Sequence, residues 1–165
     1  MTSGTGVDRA ALDAAIERGI ACGGWCPKGG WAEDLPNPPG LLALYAGLRE
    51  TADVEPRQRT EWNVRDSDAT IVFSIKERLT GGTRLTFEVA RRLGKLVLHL
   101  SRDEADAAVA AANLRAFLDE QQVRTLNVAG PRVSQEPEIG AFVRAVLAAA
   151  IGTGDQQSSS EYLSS

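Results

Sequence analysis

The sequence predicts a three-layer α/β domain, a mostly parallel sheet flanked by helices. Three observations carry this reading. Residues 66–100 hold a complete strand, glycine turn, helix and strand. Strand-like and helix-like apolar patterns alternate along the rest of the chain, the alternation that builds parallel sheets. Small-residue loops open helices at residues 3–6, 81–86 and 130–134, and such loops form the ligand-binding edge of an open parallel sheet.

The elements follow in order. Ser3, Gly4, Thr5 and Gly6 lead into a helix over residues 7–18, where Leu12, Ala15, Ile16 and Gly19 share one face. Asp8 falls in its first turn, where the helix dipole favours a carboxylate. Almost nothing before this loop reads as a strand. Residues 19–22 are a candidate short strand. Residues 23–40, rich in glycine and proline, read as a long loop carrying Trp25, Cys26, Lys28, Trp31, Glu33 and Asp34. Two indoles and an ammonium suit a site where a flat ring stacks and an anion is met; tryptophans that fasten a loop to the core give the same pattern. Residues 41–48 look helical. Residues 51–68 alternate Arg57, Arg59 and Arg65 with Glu55, Glu61, Asp66 and Asp68, as a solvated helix face does.

Residues 69–74 are apolar and β-branched, a strand covered on both faces. After Gly81 and Gly82, Leu85, Val89 and Leu93 recur at helical spacing, which predicts a helix over 83–93 ended by Gly94. Residues 95–100 form the next strand. A helix over 104–120 and a strand over 125–128 follow, and then the turn at Gly130. Ile139, Phe142, Val143, Val146 and Leu147 are the most regular amphipathic pattern in the chain. Residues 152–165 are serine-rich and unpatterned and predict a disordered tail, leaving 1–151 as the domain.

At 165 residues, with 43% hydrophobic and 24% charged content, the chain fits one globular domain. The balance of 18 basic to 22 acidic residues, net −4, argues against a broad nucleic-acid surface and leaves room for a local cationic pocket. No apolar run reaches the roughly 18 residues that span a bilayer, and no basic-then-apolar leader opens the chain, which predicts a cytoplasmic protein off the membrane. Cys22 and Cys26 lack a second Cys or His cluster and read as reduced thiols rather than a metal site. His99, the single histidine, and the carboxylates Asp66 and Asp68 read as structural groups.

The segments SGTGVDRAALDAA, GGWCPKGGWAED, RTEWNVRDSDATIVF, LTGGTRLT and LNVAGPRVS occur in this order across residues 3–149. Together they resemble the putative molybdenum carrier family, the circularly permuted YpsA-like branch of the SLOG nucleotide-binding superfamily. The resemblance implies a Rossmann-like domain. In that family the first loop is usually GGQTGVD; here it is shortened to SGTGVD and its preceding strand is nearly gone. A more distant similarity is to the cytokinin-activating phosphoribohydrolases of the same superfamily. Arg59 stands nine residues before Asp68, and Gly81, Gly82 and Glu88 fit the GG and E of their PGGxGTxxE motif, while Thr80, Arg84 and Leu85 depart from it. That similarity implies Arg59 and Glu88 as a catalytic pair for N-glycosidic cleavage.

Three functions are then expected. The first is a binding protein for a small phosphate-bearing ligand: a nucleotide, a pterin such as molybdopterin, or an oxyanion such as molybdate. The ligand would sit against Gly81, Gly82, Thr83, Thr86, Gly130 and Ser134 and the 3–6 loop, with Lys28, Arg59 and Arg132 supplying charge. The second is a nucleoside monophosphate hydrolase using Arg59 and Glu88. The third is a nucleotide sensor working as a homodimer or higher homo-oligomer, since the alanine-rich segments permit close helix contacts and relatives are commonly dimers.

Overall fold

The computed structural model describes residues 6–151 and the backbone of residues 162–164. Six parallel strands, β1 (Cys22–Cys26), β2 (Leu48–Glu50), β3 (Ala69–Ser74), β4 (Leu96–Ser101), β5 (Thr125–Ala129) and β6 (Tyr162–Ser164), form one sheet in the order β2-β1-β6-β5-β3-β4. Helices α1 (Gly6–Glu17), α4 (Ala107–Glu120) and α5 (Ile139–Ile151) bury Val7, Leu114, Ile139 and Val143 in the main core. Helices α2 (Pro56–Arg65) and α3 (Gly81–Arg92) bury Val64, Val89 and Ala90 in a separate cluster. The fold is therefore the three-layer, Rossmann-like α/β arrangement that the alternation of elements predicts.

Strand β3 shows why. All six of its residues are buried. Ala69, Ile71 and Phe73 join the core beneath α4 and α5, so by strand alternation Thr70 and Val72 face the other layer. A run that is apolar at every position is thus satisfied only between two helix layers. Phe73 meets Phe142 of α5 edge to face, with ring centroids 6.0 Å apart.

Three expectations need correction. Residues 41–48 are not a helix: Gly40–Ala43 make a single 3-10 turn, and Leu48–Glu50 become strand β2, paired with Trp25 and its neighbours. Burial decides this, because Tyr45 and Leu48 pack with Leu12 and Cys26, and the Tyr45 hydroxyl donates to Asp13 Oδ1 at 2.6 Å. The strand expected at 19–22 lies at Cys22–Cys26, hidden in the sequence by Gly23 and Gly24. The unpatterned tail is corrected at Tyr162–Ser164, which add strand β6 between β1 and β5. Three residues are too few to show a period. They pair in parallel with β1 on one side and β5 on the other.

Asp68, the residue before β3, accepts the backbone N–H groups of Arg124 and Thr125, both at 2.9 Å, which holds the start of β5 in register. These bonds, from Thr125 first and then Arg124, lower its carboxyl pKa. A lowered folded-state pKa means that the unfolded chain binds more protons as the medium is acidified. The contribution is therefore complete above the ordinary carboxylate pKa and is lost as pH falls through the lowered one. Asp68→Asn should reduce stability at neutral pH and flatten this acid limb in denaturant titrations run across the carboxylate range. An unchanged acid limb would refute the role.

Candidate functional site

The crevice forms where the carboxyl ends of β1 and β5 meet the starts of α1, α2 and α3, and it encloses about 360 Å³. Close backbone packing brings these segments together. A side chain at Gly130, just past β5, would overlap Val7 of α1 and lie 2.8 Å from the Phe73 carbonyl oxygen. Gly6 opens α1 at φ +76°, and a Cβ there would overlap the Pro131 carbonyl oxygen and lie 2.8 Å from Arg132 Cα. Val7 N–H donates to that same carbonyl at 3.4 Å.

Three helix starts border the space. Val7, Asp8 and Arg9 come from α1, Pro56 and Arg57 from α2, and Gly82, Thr83 and Thr86 from α3. Thr80 makes no side-chain cap on α3, so the first-turn N–H groups at Gly82 and Thr83 have no capping side chain among the described residues. Glu55 likewise leaves the start of α2 without a side-chain cap. Uncapped N–H groups with the positive end of the helix dipole are suited to an oxyanion.

The guanidinium groups in the crevice are each matched by a carboxylate. Arg9, with its side chain 9% exposed, donates to both oxygens of Asp34 at 2.7 and 3.1 Å. Arg59 donates to Asp8 Oδ2 at 2.8 Å. Arg132 donates to Glu33 Oε1 at 3.3 Å, and Ser134 Oγ donates to the same carboxylate, 2.9 Å from Oε1. The pairs tie the 31–34 segment to α1 and to the β5 turn. They leave donors to spare: Arg9 Nε and Arg59 Nε are buried without a hydrogen-bond partner among the described residues.

Two tryptophans border the space differently. Trp25 is fastened, its Nε1 donating to Asp66 Oδ2 at 2.8 Å, with Trp62 edge-on at 4.6 Å and the Arg49 guanidinium 4.3 Å from its ring. Trp31 is 36% exposed and carries the Arg132 guanidinium 5.2 Å from its ring centroid. Beyond it lies a second depression of about 370 Å³ that shares Trp31, Pro56 and Arg132 with the crevice. Cys26, 3% exposed, borders the crevice, and burial raises its thiol pKa although Arg59 opposes the shift. His99 is 2.6 Å from Ser74 Oγ, whose hydroxyl donates to the Lys76 carbonyl, so the ring Nε2–H is the donor; burial lowers its pKa.

Of the residues named from sequence, Arg59, Gly82, Thr83, Thr86, Gly130 and Arg132 border the crevice. Gly6 and Gly81 stand at the helix starts behind it, Ser134 is held by Glu33, and Lys28 borders the second depression. Ser3, Gly4 and Thr5 lie outside the described residues. Glu88 is not at the crevice. It pairs with Arg84 at 2.8 Å one turn back on the outer face of α3, 55% exposed, so Arg59 and Glu88 are not brought together. Sequence reading missed Arg9 and Asn127 as crevice residues. Asn127, a 2%-exposed amide that interrupts the apolar run of β5, borders the crevice and donates to Thr70 Oγ1 of β3 at 3.3 Å.

Comparison with known proteins places this geometry in context. The model of the "circularly permutated YpsA SLOG family" matches residues 1–151. A solved structure, described as a putative molybdenum carrier protein from Syntrophus aciditrophicus SB, is similar at 37% identity over 90% of each chain, with a TM-score of 0.83. No curated protein matches the chain.

Proposed function

We propose that this chain, which belongs to the circularly permutated YpsA SLOG family, is a binding protein for an organic phosphate: a nucleotide, or a nucleotide-derived or molybdenum-cofactor-like ligand. The observation that carries the reading is the convergence of uncapped helix starts on one crevice whose arginines keep buried, unused donors. The solved relative's description as a putative molybdenum carrier protein supports a molybdenum-related ligand within the same class.

The carboxylates favour an organic phosphate over bare molybdate. Asp8 and Glu33 present acceptor oxygens to the same space as the arginines. A ligand with hydroxyl or amino donors satisfies both kinds of group, whereas a fully ionised tetrahedral oxyanion has no proton to offer and sets acceptor against acceptor. An unsatisfied acceptor costs about 1–3 kcal/mol, so molybdate should bind about fivefold to 150-fold more weakly than AMP. Hydrolysis by an Arg59 and Glu88 pair is not proposed, given their separation.

Calorimetric titration with AMP, GMP, molybdopterin and molybdate tests the reading. Saturable binding of at least one organic phosphate is expected, and Asp8→Asn should narrow the gap to molybdate. Absence of saturable binding by all four would remove the proposal, and molybdate binding as tight as AMP would remove the preference.

A further inference from the structure

We propose that the depression beyond Trp31 is a second subsite, built to take the planar heteroaromatic ring of the ligand whose phosphate occupies the crevice. The proposal rests on the organic-phosphate reading above and adds to it where the rest of the molecule goes. The two spaces share Trp31, Pro56 and Arg132 in their walls, so they lie side by side at the indole. At about 360 and 370 Å³, each is near the small end of ligand pockets, and a two-part ligand uses both.

The chemistry of the second space differs from that of the first. Its walls are Pro36, Pro38 and Val54, with Lys28 as an added cation. No helix start with open N–H groups is added there. Trp31 and Val54 are among the large apolar side chains left exposed, 36% and 63%, and both border this depression. Exposed apolar area of that kind is covered when a flat ring lies against it. Trp31 offers an indole plane with the Arg132 guanidinium held 5.2 Å from its centroid, so stacking on either plane is available. Lys28 suits a ring carbonyl or ring nitrogen. A saturated sugar or an alkyl chain gains the contact area but not the stacking.

The floor is fixed before any ligand arrives. Gly29 N–H donates to Glu50 Oε2 at 2.7 Å, and Lys28 N–H donates to the Asp53 carbonyl at 3.1 Å, tying the 28–31 turn to the β2 side of the fold. Glu33 and Asp34, just after Trp31, are held by Arg132 and Arg9. The indole is thus carried on a segment fastened at both ends, which lowers the ordering cost of stacking.

The experiment compares AMP with ribose 5-phosphate, which keeps the phosphate and sugar and lacks the ring, by calorimetry on the full chain. Wild type should bind AMP about tenfold to a hundredfold more tightly, the range that stacking of one base supplies. Trp31→Ala should bring the ratio of the two affinities close to one, and Trp31→Phe should retain most of it, with near-ultraviolet circular dichroism confirming a folded chain. An unchanged ratio in Trp31→Ala, including an equal loss for both ligands, assigns Trp31 to the scaffold and overturns the ring subsite. Ribose 5-phosphate binding as tightly as AMP in wild type overturns it too, while leaving the crevice reading intact. If neither ligand binds wild type, the ring subsite is overturned, and the crevice reading stands or falls on the GMP and molybdopterin titrations above.

Discussion

Replacing Arg59 with alanine should weaken AMP binding about a hundredfold or more. Arg59 lies on the inner side of α2, with one terminal nitrogen on Asp8 and a buried Nε that has no hydrogen-bond partner among the described residues. Its loss acts twice. The ligand loses charge-assisted hydrogen bonds worth about 1.5–3 kcal/mol, and Asp8, 30% exposed, is left as an uncompensated negative charge beside the incoming phosphate. The second effect is separable. Asp8→Asn combined with Arg59→Ala should recover part of the affinity, and Arg59→Lys should recover little, because an ammonium on one stem cannot serve Asp8 and ligand with a fork of donors. Calorimetric titration of the three variants decides the matter. A loss below about threefold for Arg59→Ala would place the phosphate elsewhere.

The second large effect is structural. Gly130→Ala should destabilise the fold by about 3 kcal/mol, the upper part of the usual overpacking range. The added methyl has no free space: Val7 occupies it, and the Phe73 carbonyl oxygen is 2.8 Å away and belongs to a buried central strand that cannot retreat. Relief requires α1 to move off the β5 turn, which also opens the crevice. In a chain of this size such a loss lowers the melting temperature by on the order of 6–12 °C. Gly140→Ala in α5 is the control. Nothing stands within 4 Å of its added Cβ, and alanine is the better helix former, so stability should rise slightly. Thermal unfolding of both variants checks the contrast, and a Gly130→Ala protein as stable as wild type would show that α1 and the turn are not tightly joined.

The strand and helix alternation was legible because its strongest elements satisfy local pattern and burial together. β3 is apolar throughout and buried throughout, and α5 places Ile139, Phe142, Val143, Val146 and Leu147 on the buried face that their spacing predicts. The elements misread are those decided by distant contacts. β1 contains consecutive glycines, which local preference rejects, yet Gly23 lets its backbone approach Gly47 closely. Leu48 reads as helical among its neighbours and becomes strand because β1 offers a pairing edge. At the crevice, the glycine turns announced themselves. The carboxylate partner of each arginine did not: Arg9 and Asp34 are 25 residues apart, Arg59 and Asp8 are 51 apart, and Arg132 and Glu33 are 99 apart. Glu88 matched a motif position by order alone, and the exposed face of α3 then turned it toward Arg84.

The matched charges around the crevice have a kinetic meaning. Guanidinium and carboxylate set within about 3 Å of each other cancel at a distance, so a dissolved anion a Debye length away feels little pull from these pairs, and the overall charge of −4 gives no attraction of its own. Encounter is then governed by diffusion and orientation rather than by electrostatic steering. For the proposed phosphate ligands, discrimination should then be exercised on contact, in how long each one stays, rather than in how fast it arrives.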